Sequence, residues 1–163
     1  LSELDSSYRK KLDFALKCVE LAREKNKLVL PIDHIEADDF AMPLDVRETK
    51  GLDIADGFER LDIGSKTREY YDQVLQSAKT VFWNGPMGVF EMKNYAAGTV
   101  GVCEAIAELQ GNAITVIGGG DSAAAAEKLG YADKFSHVST GGGASLEYLE
   151  GKVLPGIACV NEK

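Results

Sequence analysis

Twice between residues 113 and 150 a short apolar run leads through three consecutive glycines into a helix-forming stretch. The first unit is a strand pattern over 113–117, then Gly118-Gly119-Gly120, then a helix pattern over 121–129. The second is a strand pattern over 135–138, then Gly141-Gly142-Gly143, then a short helix pattern over 144–150. Strand and helix in alternation favour a parallel sheet, because parallel neighbours need a crossover and a helix supplies it. The expected fold is α/β: a three-layer, Rossmann-like, mostly parallel sheet with helices on both faces. Neighbouring parallel strands bring both glycine loops to one edge of that sheet, beyond the carboxyl ends of the strands.

A helix start carries unpaired N–H groups and about half a positive charge. Glycine lets the backbone approach an oxyanion closely, so such a junction is a ready phosphate site. A tight turn capped by Asp121 or Ser122 explains one such loop equally well. Two side by side favour a phosphate ligand. The common motifs do not fit. Gly118-x-Gly120-x-x-Ala123 half-matches the dinucleotide fingerprint, but the acidic residue expected about 20 positions on is absent. Gly151-Lys152 is followed by Val153 with no glycine five residues earlier, so it is not a Walker loop. Protein-kinase signatures are also missing. Asp121 suits magnesium, which takes one or two carboxylates together with phosphate oxygens and water; a helix-capping role for it stays open.

The rest of the chain alternates similarly. A helix is expected over residues 7–25, with Leu12, Leu16, Val19 and Ala22 on one face and Asp5, Ser6 or Ser7 as cap. Residues 27–30 read as a buried strand stopped by Pro31. Residues 32–64 are weakly patterned and punctuated by glycine and proline, which suggests irregular strands and a small side sheet. Ser65 can cap a second helix in which Tyr71, Val74, Leu75 and Ala78 make the apolar stripe. Residues 80–83 form a strand, and a helix over 95–109 buries Val102, Ile106 and Leu109. Between these two lies Trp83-Asn84-Gly85-Pro86-Met87-Gly88-Val89-Phe90-Glu91. This loop can line an apolar slot for a base, with Asn84 or Glu91 as polar contacts, or be a packed turn. His137 reads as a hydrogen-bonded core or edge residue rather than a proton-transfer group.

Twenty-six acidic against 18 basic residues give a net charge of −8, which disfavours generic nucleic-acid or anionic-membrane binding. Cys18, Cys103 and Cys159 are scattered and odd in number, which suggests reduced thiols in an intracellular setting and no zinc site. Nor do two histidines suggest a metal site. No apolar run has the length of a membrane span and no signal-peptide pattern is visible. Leu1 stands first in place of Met, so a fragment, an engineered piece or a processed product is expected.

Several strings then point one way. Residues 81–91, with Trp83-Asn84-Gly85-Pro86-Met87-Gly88 at their centre, resemble the signature loop of phosphoglycerate kinases. Gly118-Gly119-Gly120-Asp121-Ser122 resembles that family's phosphate and magnesium loop. Ser139-Thr140-Gly141-Gly142-Gly143-Ala144-Ser145 resembles its terminal glycine motif, and the stretches 149–156, 30–33 and 37–40 also fit. The resemblance implies phosphoryl transfer between 1,3-bisphosphoglycerate and ADP, giving 3-phosphoglycerate and ATP, with Mg²⁺, in the cytoplasm. It implies that Asn84 contacts nucleotide phosphate, that Pro86 and Val89 border the base or ribose, and that Glu91 holds the ribose. It assigns Gly118, Gly119, Gly120 and Ser122 to phosphate, Asp121 to the metal, and Gly141, Gly142 and Gly143 to the phosphoryl group in flight. Ser139 and Thr140 resemble a hinge, and Ser122 stands where threonine is common.

The family's basic phosphoglycerate domain, its adenine loops and its phosphate-holding lysines have no counterpart here. Residues 1–163 are therefore expected to be part of a nucleotide-binding domain, inactive alone. The missing strands should leave the 27–30 strand apart from those near Val81, Ile114 and Phe135, which should be adjacent in that order. Exposed sheet edges should promote association, although the full-length family resemblance implies a monomer. Two other functions remain: a nucleotide- or anion-binding module without turnover, and an NAD-binding oxidoreductase domain.

Overall fold

A computed structural model describes residues 6–160. The chain forms two compact units, one ending at Leu30 and one beginning at Pro31. The first carries helix α1, Ser6–Glu24. Leu12, Val19 and Ala22 are half-buried on it, whereas Leu16 stays 53% exposed. Ser6 is already helical, and Asp5, another expected cap, lies outside the described residues. Asn26 adopts φ 54° and the Lys27 N–H reaches back to the Ala22 carbonyl at 2.8 Å, a six-to-one closure with asparagine in the left-handed position.

The strand expected over residues 27–30 does not form. Its apolar residues carry β propensity, but a strand exists only through hydrogen bonds to a neighbour, and no described segment ladders with it.

In the second unit, residues 32–64 resolve into an antiparallel sheet. It comprises β1 (His34–Ala37), β2 (Val46–Glu48) and β3 (Glu59–Ile63), in the order β2-β1-β3. The register of β1 on β3 shifts between Ile35 and Glu36. Glu36 is buried and receives the Arg47 Nε at 2.7 Å, while the Arg47 guanidinium lies 3.9 Å from the Phe58 ring centre. The charged partner and the Ala55 N–H satisfy a carboxylate that burial alone would penalise.

Helix α2 runs Ser65–Leu75. Ser65 does not cap it: it is the first helical residue, and Gly64, which precedes it, has no side chain to serve. Asp33 does so instead, accepting from Lys66 N at 3.0 Å and Thr67 N at 2.8 Å. Gly64 leaves the room, since a Cβ there would stand 2.3 Å from the Asp33 carboxyl carbon.

Strands β4 (Thr80–Trp83), β5 (Ile114–Gly118) and β6 (His137–Ser139) form a parallel sheet in the order β4-β5-β6. That is the adjacency expected. Strand β6 begins later than expected, because Phe135 is drawn into the core at 8% exposure and Ser136 pairs through side chains. Its hydroxyl receives Thr115 N and its N–H meets the Thr115 hydroxyl, both at 3.1 Å. His137 is exposed on this edge strand.

Helices α3 (Ala97–Ala107) and α4 (Gly120–Leu129) cover one face. Val102, Cys103, Ile106, Ala123, Ala125 and Ala126 pack there with Trp83, Ile117 and Phe135. Against the other face, α5 (Gly142–Leu149) and α6 (Pro155–Ala158) border a cavity of about 450 Å³ with Phe82 and Val116. Helices on both faces of a parallel sheet make this unit α/β, with the antiparallel sheet as an addition.

Candidate functional site

Because β4, β5 and β6 are parallel, the chain leaves all three at the same edge. Trp83 pairs with Ile117, Ile117 with Val138, and Gly118 with Ser139, so Asn84, Gly119 and Thr140 emerge side by side. The Gly119 N–H extends the pairing to the Ser139 carbonyl at 2.9 Å. Gly119 then turns with φ 104°, ψ 145°, a conformation essentially reserved for glycine.

The two glycine triplets touch. A Cβ on Gly142 would lie 3.0 Å from the Gly119 Cα and 2.8 Å from the Asn84 Oδ1. A Cβ on Gly119 would meet the same Asn84 oxygen at 2.8 Å. The Asn84 carboxamide thus sits at the meeting point of two helix starts, with glycine making the space.

Neither helix start is closed. Gly119 precedes α4 and Gly141 precedes α5, and neither helix has a side-chain cap. Asp121 and Ser122, the alternative caps, do not serve as caps. Within α4 the first backbone bond runs from Ala123 N to the Gly119 carbonyl, leaving the Gly120, Asp121 and Ser122 amides without an intrahelical acceptor. At α5, Gly142 N turns back to the Thr140 carbonyl and Ser145 N takes the Gly141 carbonyl. The Gly143 and Ala144 amides are left. Two groups of donors, each at the positive end of a helix, therefore share one rim. Asp121 is exposed in the first turn of α4.

The other expected residues divide. Gly118 is buried at the end of β5, where a Cβ would stand 2.2 Å from the Phe82 ring, so close packing explains its glycine. Ser122 is 1% exposed and its Oγ receives the Gly85 N–H at 2.6 Å. Gly120, Gly141 and Gly143 are exposed at the rim. Pro86 is half-buried, Val89 packs against Ala37, Leu61 and Tyr95, and Glu91 is exposed. Trp83 is buried, stacks on Phe135 at 6.0 Å, and donates its indole N–H to the Gly85 carbonyl at 2.8 Å.

The residues that hold this loop are not among those the sequence motifs mark. Thr99, fully buried in the first turn of α3, accepts from Met87 N at 3.1 Å and Gly88 N at 3.3 Å. Asp62, 2% exposed, accepts from Gly98 N at 2.6 Å and Ile63 N at 2.8 Å. Burial pushes the Asp62 carboxyl above its ordinary value, and these two N–H donors offset only part of that. The available signal was polar residues inside apolar patterns: Asp62 between Leu61 and Ile63, and Thr99 between Gly98 and Val100.

The family described as phosphoglycerate kinase matches residues 2–152. A phosphoglycerate kinase of Spiroplasma citri is 63% identical over 143 residues, covering 88% of this chain and 34% of that protein. One from Clostridium tetani is 55% identical over 154 residues, covering 94% and 38%. Among solved structures, the phosphoglycerate kinase from Coxiella burnetii superposes with a TM-score of 0.82 at 39% identity, covering 91% of this chain and 38% of that one. This chain thus spans under two-fifths of the length of the relatives it matches.

Proposed function

Because the chain belongs to the phosphoglycerate kinase family, we propose that it is the magnesium–nucleotide side of the enzyme that passes a phosphoryl group between 1,3-bisphosphoglycerate and ADP in glycolysis. The observation that carries this reading is the contact of the two glycine-bordered helix starts around Asn84. Phosphoryl transfer asks little covalent chemistry of the protein; it asks for positioning and for charge stabilisation. The free amides of Gly120, Asp121 and Ser122 would take nucleotide phosphate, and those at Gly143 and Ala144 would face the group being transferred. The Asn84 amide group would contact phosphate between them. Pro86, Val89 and Glu91 would border base and ribose, and Gly118, Gly119, Gly141 and Gly142 would shape the cradle.

The donor set fits a metal–nucleotide. The rim offers N–H donors that suit phosphate oxygens, and Asp121 adds one exposed carboxylate beside them, the pattern by which magnesium is held jointly by protein and phosphate. Bound magnesium would neutralise charge on the phosphate oxygens. The Ser122 hydroxyl, engaged with Gly85, orients the loop in this reading while the Ser122 amide meets phosphate.

Residues 1–163 are on this reading a partial nucleotide-binding domain, and the acyl-phosphate substrate is held by parts of the enzyme outside them. A cytoplasmic, glycolytic setting goes with it. The test is titration of this chain with Mg·ADP, followed by Trp83 emission. The indole is hydrogen-bonded to the loop at Gly85, so a saturable change is expected, and Asp121→Asn should weaken its magnesium-dependent part. No turnover is expected from this chain alone. A response to NADH with none to ADP would overturn the assignment in favour of a dinucleotide oxidoreductase.

A further inference from the structure

Every backbone N–H from Gly85 to Val89 is received by a group outside the loop, Pro86 having none. Gly85 donates to Ser122 on α4, Met87 and Gly88 donate to Thr99 on α3, and Val89 donates to the Leu61 carbonyl on β3 at 3.0 Å. Three elements far apart in sequence thus fix five consecutive residues. The centre of the arrangement is one oxygen, the Thr99 Oγ1, accepting from two adjacent amides in a fully buried position.

Thr99 is itself held from behind. Asp62 ties down the Gly98 N–H beside it. Its carboxylate occupies the space that side chains at residues 88 and 98 would fill: a Cβ on Gly88 would lie 2.3 Å, and one on Gly98 2.0 Å, from the Asp62 Oδ1. The glycines of the loop and of the helix start are therefore matched to one carboxylate.

We propose that Thr99 is a positioning residue for nucleotide binding: its buried hydroxyl fixes the middle of the 84–91 loop, and so the place of the Asn84 carboxamide between the starts of α4 and α5. This rests on the nucleotide reading above. Thr99 does not reach the rim; it acts through the Met87 and Gly88 amides. Removing the hydroxyl leaves two buried donors unsatisfied, and the loop relieves that by moving toward water.

The test uses amide exchange followed by nuclear magnetic resonance, then Mg·ADP titration, on the whole chain. Without ligand, Met87 and Gly88 should exchange at least about tenfold more slowly than Ala41 and Met42, whose amides also bond a side-chain oxygen, that of Asp39, but in an exposed turn. In Thr99→Val, exchange at Met87 and Gly88 should rise about tenfold while Cys103 and Ile106 on the same helix keep their rates. Mg·ADP affinity should fall several-fold, and Thr99→Ser should restore both readings.

Unprotected Met87 and Gly88 in the wild-type chain would overturn the proposal even if Thr99→Val fails to fold. So would a folded Thr99→Val that binds Mg·ADP as the wild type does. Absence of Mg·ADP binding by the wild type, with protection intact, would instead strike the nucleotide reading and remove the functional role of Thr99 with it.

Discussion

Four helices of the second unit start in two contrasting ways. The starts of α2 and α3 are closed by carboxylates brought from elsewhere, Asp33 and Asp62, each 1–2% exposed and each bonded to first-turn amides. The starts of α4 and α5 are preceded by glycine, lack a side-chain cap, and face each other across Asn84. All four carry the same orphan donors and the same partial positive charge. Where a start serves the fold, an internal anion neutralises it. Where a start is left open, at α4 and α5, its donors have no internal anion to meet, which is what the proposed nucleotide site requires.

The contrast breaks most visibly at Asp33. Asp33→Ala removes the cap of α2 together with the hydrogen bond from the Thr67 hydroxyl at 2.5 Å, and should cost about 3 kcal/mol in urea unfolding. Asp62→Ala should cost about 2 kcal/mol, since it strips acceptors from Gly98 and Ile63 but opens space beside two glycines.

The two carboxyls should also titrate with opposite sign. Burial pushes Asp33 up, but hydrogen bonds from Thr67 and Lys66 outweigh it and leave its pKa below the ordinary 3.8. Its contribution is present above the unfolded-state value and is lost as pH falls through the lowered folded value. Asp62 is raised above 3.8, so its contribution is complete below the unfolded-state value and is lost as pH rises through the folded one. Unfolding midpoints measured against pH should therefore lose part of their acid-side fall in Asp33→Asn and part of their opposing slope in Asp62→Asn. The same curve in both variants would show the two caps to be electrostatically equivalent.

At the open starts the expected change is in binding. Gly142→Ala forces a Cβ to within 3.0 Å of the Gly119 backbone and 2.8 Å of Asn84, spreading the rim. Mg·ADP affinity should drop about tenfold, with stability altered by no more than about 1 kcal/mol. Smallest is Gly101→Ala inside α3, where the atoms nearest a Cβ belong to the flexible Arg68 chain, the first at 3.3 Å. It should raise stability by about 0.5–1 kcal/mol and leave binding unchanged. A binding loss there equal to that at Gly142 would end the distinction between the two kinds of helix start.

The rim was legible because its signal is local. A strand, three glycines and a helix lie next to one another in the chain, and two parallel copies can only meet at one edge. The order β4-β5-β6 was legible for the same reason. The caps were not. Ser65 and Asp121 have the right chemistry at the right place in sequence, yet α2 takes its cap from Asp33, more than 30 residues earlier, and α4 takes none. The strand expected over residues 27–30 failed likewise, since propensity is a property of the segment and pairing is a property of its neighbours.

The sequence by itself determined the α/β alternation, the two glycine junctions and the family to which they belong, because periodicity and glycine act within a few residues. Only the tertiary structure decided which polar groups close helix starts and which hold the 84–91 loop. Asp33, Asp62, Ser122 and Thr99 are ordinary polar residues in the chain, and they acquire their roles through hydrogen bonds that a fold makes between segments its linear order keeps apart.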